Sequence, residues 1–258
     1  MKGRRQEWRR CLSGLSLALL ALLACDEDPV EVTDRVWAVE QTERSLMALP
    51  MSAPDCASRG YVADTIGPLA FDEEERLLGV DLLMLRLLDV QPSNGYSTPL
   101  FDLGAMLDPR ALTVAPGGRL FLLDAGTRVL QLDPESGSWT RSWSLLPESG
   151  WTALAWLPVA MESPNGQSLP VGTLLAWRPQ GGGGELAWLE LEEGQALAHS
   201  LQSTPRFSAL ETSRRRDELY ALDAQGGELY RLRPWLAEIT PVQSYACDPF
   251  LVTDIALP

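Results

Sequence analysis

The apolar positions of this chain fall in short runs of about five or six residues, broken by Gly, Asp and Pro, and the runs follow an order that repeats. The clearest stretch is "ALTVAPGGRLFLLDAGTRVLQLDPESGSW", residues 111–139. It holds an apolar run, a Gly turn, a run ending in Asp, another turn and a third run. Short apolar runs bounded by turn residues predict β-strands, and the apolar spacing of three and four that a helical repeat needs is missing. The second run, Arg119 to Asp124, aligns with "RVWAVE" at 35–40, "RLLGVD" at 76–81, "TLLAWR" at 173–178 and "ELYALD" at 218–223.

A third strand follows each of these after a short gap: "SLMALP" at 45–50, "LRLLDV" at 85–90, "RVLQLD" at 128–133, "ELAWLE" at 185–190 and "ELYRLR" at 228–233. First strands precede four of them, in "GPLAFD" at 67, "RALTVA" at 110, "TALAWL" at 152 and "FSALET" at 207, with Leu69, Leu112, Leu154 and Leu210 at matched positions. The one long interval between these leucines contains "MESPNGQSLP", which reads as a loop insertion. A period near 40 to 45 residues with several short strands per unit is the signature of propeller blades.

The unit resembles the NHL or YVTN type of β-propeller repeat, in which a strand and a Gly turn are followed by a strand ending in Asp. The resemblance covers residues 34–258 and is closest in the units at 110–139 and 207–235. It implies an all-β fold: a single β-propeller of five blades, or six if two have been merged. "RVWAVE" and "SLMALP" lack a first strand, while the C-terminal "TDIALP" is a first strand with nothing after it. Joined, they make one blade formed from both termini, a closure that removes two exposed sheet edges.

The N-terminus follows another pattern. Lys2, Arg4, Arg5, Arg9 and Arg10 form a basic head before an apolar run from Leu12 to Leu23, the layout of an export signal. The run ends Leu22-Leu23-Ala24-Cys25, which resembles the lipobox of bacterial lipoproteins, and the resemblance implies acylation of Cys25. Residues 1–25 are then the signal peptide, 26–33 an acidic tether and 34–258 the propeller. Acyl chains of the palmitate class hold such a domain to a membrane at about 0.8 kcal/mol per buried methylene. The expected location is the cell membrane or outer membrane, facing the periplasm or the cell surface.

The formal charge is −14, and it grows more negative once the basic head leaves. An acidic surface repels phosphate backbones, so nucleic acid is excluded as a partner. Of the four cysteines, Cys11 leaves with the signal and Cys25 carries lipid. Cys56 and Cys247 remain, a disulfide candidate beside the seam where the termini join, or two separate buried thiols.

Chemistry is sparse. The single histidine, His199, falls where a unit's outermost strand would run and reads as a surface residue. "GGGG" at 181–184 joins two strands and opens no helix, so it is a hairpin turn rather than a phosphate loop. The tryptophans Trp37, Trp151, Trp156, Trp177 and Trp188 occupy strand positions and read as packing between units.

One constellation recurs at the ends of the second strands: Glu40, Asp81, Asp124 and Asp223, with Arg178 in the remaining unit. In propellers these turns gather where the central channel opens, so the four acids could ring the mouth and hold Ca2+ or a cationic ligand. Equally, Asp at a strand end starts a hairpin by bonding its own backbone. No other cofactor is expected. The expected function is a lipid-anchored binding or scaffold module for a protein or envelope component. The alternative is a propeller hydrolase of the lactonase or glycosidase type, using Asp81, Asp124 and Asp223 and, with them, a divalent metal.

Overall fold

The computed structural model describes residues 35–104, 107–147, 150–246 and 252–258. The signal, Cys25, the tether and Cys247 lie outside the described residues. β1 (Arg35–Glu40), β2 (Ser45–Pro50) and β3 (Ala57–Tyr61) come first, followed by β4 (Ile66–Phe71), β5 (Leu77–Asp81), β6 (Arg86–Val90) and β7 (Ser97–Asp102). Next are β8 (Pro109–Ala115), β9 (Arg119–Asp124), β10 (Arg128–Leu132) and β11 (Trp139–Leu146). β12 (Ala153–Trp156) is separated by a small hairpin, β13 (Met161–Glu162) and β14 (Ser168–Leu169), from β15 (Leu174–Gln180), β16 (Gly183–Glu192) and β17 (Gln195–Thr204). The last group is β18 (Ala209–Ser213), β19 (Glu218–Asp223), β20 (Glu228–Arg233), β21 (Glu238–Ser244) and the C-terminal β22 (Val252–Ala256).

Antiparallel pairing divides these strands into five four-stranded units, innermost strand first: β22-β1-β2-β3, β4 to β7, β8 to β11, β12-β15-β16-β17 and β18 to β21. The third and fourth units are further joined by parallel pairing of their outermost strands, β11 and β17, into one eight-stranded sheet. The innermost strands pack in sequence, β22 beside β4, β4 beside β8, β8 beside β12, β12 beside β18 and β18 beside β22. That circuit is a β-propeller, and its first unit takes its inner strand from the C-terminal segment, Trp37 opposite Ala256 and Ala38 opposite Ile255.

Every sheet is packed on both faces, so its central strands are apolar throughout rather than half polar. Along β9, Leu120 and Leu122 face the cluster shared with the second unit, while Phe121 and Leu123 face the cluster shared with the fourth. Leu219 and Ala221 likewise face one neighbour, Tyr220 and Leu222 the other. Trp151 and Trp156 are buried between the third and fourth units and Trp177 and Trp188 between the fourth and fifth, and Trp37 is buried as well. In each unit the pairing of third and outermost strands carries a register shift, which sharpens the twist of the outer edge.

Two local expectations change. "MESPNGQSLP" is not wholly loop, since it contributes the hairpin of β13 and β14, with Leu169 buried. The "GGGG" turn is a hairpin as read, but only its first half is open. A side chain at Gly182 would meet nothing, whereas a Cβ on Gly184 would lie 2.2 Å from the buried Trp177 ring.

Candidate functional site

An inner strand that pairs on one side only turns its other edge to the channel, and buried N–H groups there need acceptors. Side chains of β18 and β22 supply them. Asp254 Oδ2 accepts from Leu69 N and Leu112 N, both at 3.2 Å, and so ties β22 to β4 and β8. Thr212 Oγ1 accepts from Trp156 N at 3.2 Å and donates to Trp156 O at 2.5 Å, tying β18 to β12. Across the axis Thr113 Oγ1 donates to Glu211 Oε1 at 3.0 Å, and the same oxygen accepts from Thr212 N at 2.7 Å. The channel is thereby filled by its own side chains.

Both acids are fully buried, and burial pushes both carboxyl groups well above the usual carboxylate range. For Glu211 the nearby Asp254 adds to the rise, while Thr212, Thr113 and Arg214 oppose it. For Asp254 the opposing influences are the amides of Leu112, Ile255 and Leu69. Glu211 Oε2 is buried with no hydrogen-bond partner among the described residues.

At one end the channel opens into a cavity of about 380 Å3, to which every inner strand contributes at its beginning. Gly67 and Pro68 come from β4, Pro109 and Arg110 from β8, Thr152 from just before β12, Phe207 and Ser208 from just before β18, and Val252 from β22. Leu82, from the turn after β5, and Trp177, from within β15, close the sides. A Cβ at Gly67 would sit 2.6 Å from Leu82 Cδ2, so a larger residue there would push the half-buried Leu82 side chain aside. Two guanidinium groups reach this mouth. Arg110 is paired with Asp108 at 2.5 Å, while the exposed Arg206 has no ion-pair partner among the described residues. The hydroxyl of Thr152 is buried and has no hydrogen-bond partner among the described residues.

The acids read from the repeat end their second strands at this same end of the units, but none of them lines the cavity, and each is engaged within its own unit. Glu40 accepts from Thr42 N at 3.0 Å and Glu43 N at 2.5 Å. Asp81 accepts from Leu83 N, Met84 N and Arg86 at 3.0, 3.1 and 3.0 Å. Asp124 takes Asp108 N at 2.7 Å with one oxygen and Arg128 with the other. Asp223 accepts from Gln225 N at 3.1 Å. In the fourth unit the polarity is exchanged: Arg178 pairs with Glu185 at 2.7 Å and lies 4.7 Å from the Trp151 ring. Among the described residues no group of three or more His, Cys, Asp or Glu is placed to hold a metal ion.

His199 is on the outermost strand β17, as read, but it is not a bare surface residue. Its ring stacks on Trp188 at 4.3 Å and bonds Glu190 at 2.9 Å. Cys56 is disulfide-bonded, and nearby Ala246 N donates to Pro54 O at 3.1 Å. The reading of the repeat missed Glu211 and Asp254. Their signal was a single acid inside an otherwise apolar first strand, "FSALET" and "TDIALP".

No family model matches this sequence, and no curated protein is similar to it at the level of sequence. Solved structures are similar in fold. One from a nidogen/laminin complex is 13% identical with a TM-score of 0.51, covering 87% of this chain and 93% of that one. A gluconolactonase candidate solved by X-ray is 13% identical with a TM-score of 0.50, covering 86% and 81%. Virginiamycin B lyase from Staphylococcus aureus is 12% identical at a TM-score of 0.43, covering 81% of this chain and 66% of the lyase. The first two support the propeller fold and carry nothing about activity.

Proposed function

We propose that this chain is a lipid-anchored β-propeller of the cell envelope that works as a binding or scaffold module, with the channel mouth as its contact site. The observation that carries the reading is the filled channel: Asp254, Thr212 and Glu211 are committed to the inner-strand backbone and to one another. What faces outward is the mouth, an apolar cup of Leu82, Phe207 and Val252 with the exposed guanidinium of Arg206 at its edge. Such a cup suits an apolar group that carries a carboxylate or phosphate, presented by a protein or another envelope component. Acylated Cys25 holds the domain at the membrane, facing the periplasm or the cell surface. A Cys56–Cys247 bridge staples the seam beside β22.

Two measurements test this together. Labelling with a palmitate analogue should mark the wild type and not Cys25→Ser, and the variant should move from the membrane to the soluble fraction. Pull-down from membranes should recover a partner with the wild type and lose it with Arg206→Glu. An unlabelled chain in the soluble fraction refutes the anchor, and equal recovery by both proteins refutes the mouth as contact site. The hydrolase reading has one observation in its favour, the adjacent buried carboxyl groups of Glu211 and Asp254. Lactone or glycoside turnover that Glu211→Gln abolishes would replace the binding reading with that one.

A further inference from the structure

The parallel pairing that joins β11 to β17 is short. It runs from Ser144 opposite Gln195 to Leu146 opposite Leu197, with Ser144 N donating to Gly194 O at 3.0 Å. Before Ser144 the edge of β11 has no partner strand on this side among the described residues. The hairpin joining β16 to β17 stands away from it, and the two border an open-sided cavity of about 520 Å3. This cavity lies between the third and fourth units and shares no lining residue with the mouth.

Its chemistry is divided. Arg119 and Arg141 line it from the third unit, Glu192 and Glu193 from the hairpin of the fourth. Several other arginines are paired, Arg86 with Asp81, Arg128 with Asp124 and Arg233 with Glu218, though Arg206 at the mouth is not among them. Here none of the four charges has an ion-pair partner among the described residues, although both signs share one cavity. Phe121 and Trp143 line the cavity as well, a tilted aromatic pair with centroids 6.4 Å apart and only 2% and 5% exposed. Strand alternation adds a backbone element: Ser144 N points toward the hairpin, so the N–H and C=O of Ser142, two residues earlier, point to the same side, into the cavity.

A site with separated positive and negative walls, an aromatic floor and a free strand edge is complementary to a ligand with both charges and an apolar middle. We propose that this seam cavity binds a short zwitterionic peptide of the dipeptide class. Its carboxylate is held by Arg119 and Arg141, its ammonium by Glu192 and Glu193, its peptide group by the Ser142 edge, and an apolar side chain packs on Trp143. Guanidinium groups recognise a carboxylate through paired, charge-assisted hydrogen bonds, and a cavity of this size falls in the range that encloses a small ligand.

The test is calorimetric titration of the propeller chain with the dipeptide Leu-Phe, its N-acetyl form and its C-terminal amide. Leu-Phe should bind at one site with a millimolar or tighter dissociation constant, and each cap should weaken binding about tenfold or more. Arg141→Gln should weaken the uncapped peptide yet have little further effect on the amide, and Glu193→Gln should do the same for the acetyl form. Both side chains are exposed, so the variants should melt as the wild type does. Glu162→Gln, exposed on the β13–β14 hairpin and away from both cavities, should bind Leu-Phe unchanged. Absence of binding at millimolar peptide, equal binding of capped and uncapped forms, or Arg141→Gln weakening all three peptides alike would overturn the proposal.

Discussion

Replacing Asp254 by Ala isolates what the channel side chains do for the fold. The carboxylate oxygen that bridges Leu69 N and Leu112 N belongs to a residue 185 and 142 positions away in sequence, so its loss acts between units rather than within one. Ala leaves two buried N–H groups without an acceptor, at roughly 1 to 3 kcal/mol each. Relief of a desolvated carboxyl group offsets part of this, and a net loss of about 3 kcal/mol is expected. Asp254→Asn keeps an acceptor oxygen and should cost far less. Urea unfolding at pH 6, read by tryptophan fluorescence and far-UV circular dichroism together, gives both values.

The pH dependence has a definite sign. Burial raises the folded-state pKa of Asp254 and Glu211 above the unfolded values, so between the two values the folded chain binds more protons. Their contribution is complete below the ordinary carboxylate range, near pH 4, and is lost as pH rises toward the folded values. Stability from this source therefore falls as pH rises, and Glu211→Gln or Asp254→Asn should flatten the decline. A loss under about 0.5 kcal/mol in Asp254→Ala, or an unchanged pH slope in both neutral variants, would refute the reasoning.

Three further outcomes are expected. Gly184→Ala should destabilise by about 1 to 3 kcal/mol in thermal or urea melts, because the Trp177 ring cannot retreat, while Gly182→Ala should be nearly neutral. Peptide mapping without reductant should find Cys56 linked to Cys247, and reduction should lower the melting temperature, by up to about 5 kcal/mol of stability; a different partner for Cys56 would remove the staple from the seam. Millimolar calcium should leave the melting temperature unchanged, since Glu40, Asp81, Asp124 and Asp223 are already bonded to turn amides, two of them also to arginines. A calcium-dependent rise would restore the ring as a cation site.

The inner three strands of each unit were legible in the sequence because they are buried on both faces. "RLFLLD", "ELYALD" and "ELYRLR" become β9, β19 and β20 with the bounds read from the pattern. The outermost strands β3, β7 and β21 are largely exposed and polar, and Pro99 and Pro241 interrupt two of them, so no alternation marks them. The repeat also identified the turns at the mouth end of the units, but not what those turns do. Asp124 looked like a ring member and is a brace, because its partners Asp108 N and Arg128 are fixed by hairpin geometry. Arg206 carries no signal at all in a loop between β17 and β18, and the roles of Asp254 and Glu211 exist only once the ring has closed.

Closure itself can be tested by shortening the chain. Val252, Ile255, Ala256 and Leu257 are all buried, and each large apolar side chain among them contributes about 1.5 to 3 kcal/mol. With the Asp254 bonds added, removal of residues 251–258 takes away more than a typical domain's margin of about 5 to 15 kcal/mol can readily bear. The expected result in a thermal melt followed by far-UV circular dichroism is loss of the cooperative transition or a large drop in its midpoint. A truncated protein that melts like the full chain would contradict the closed ring.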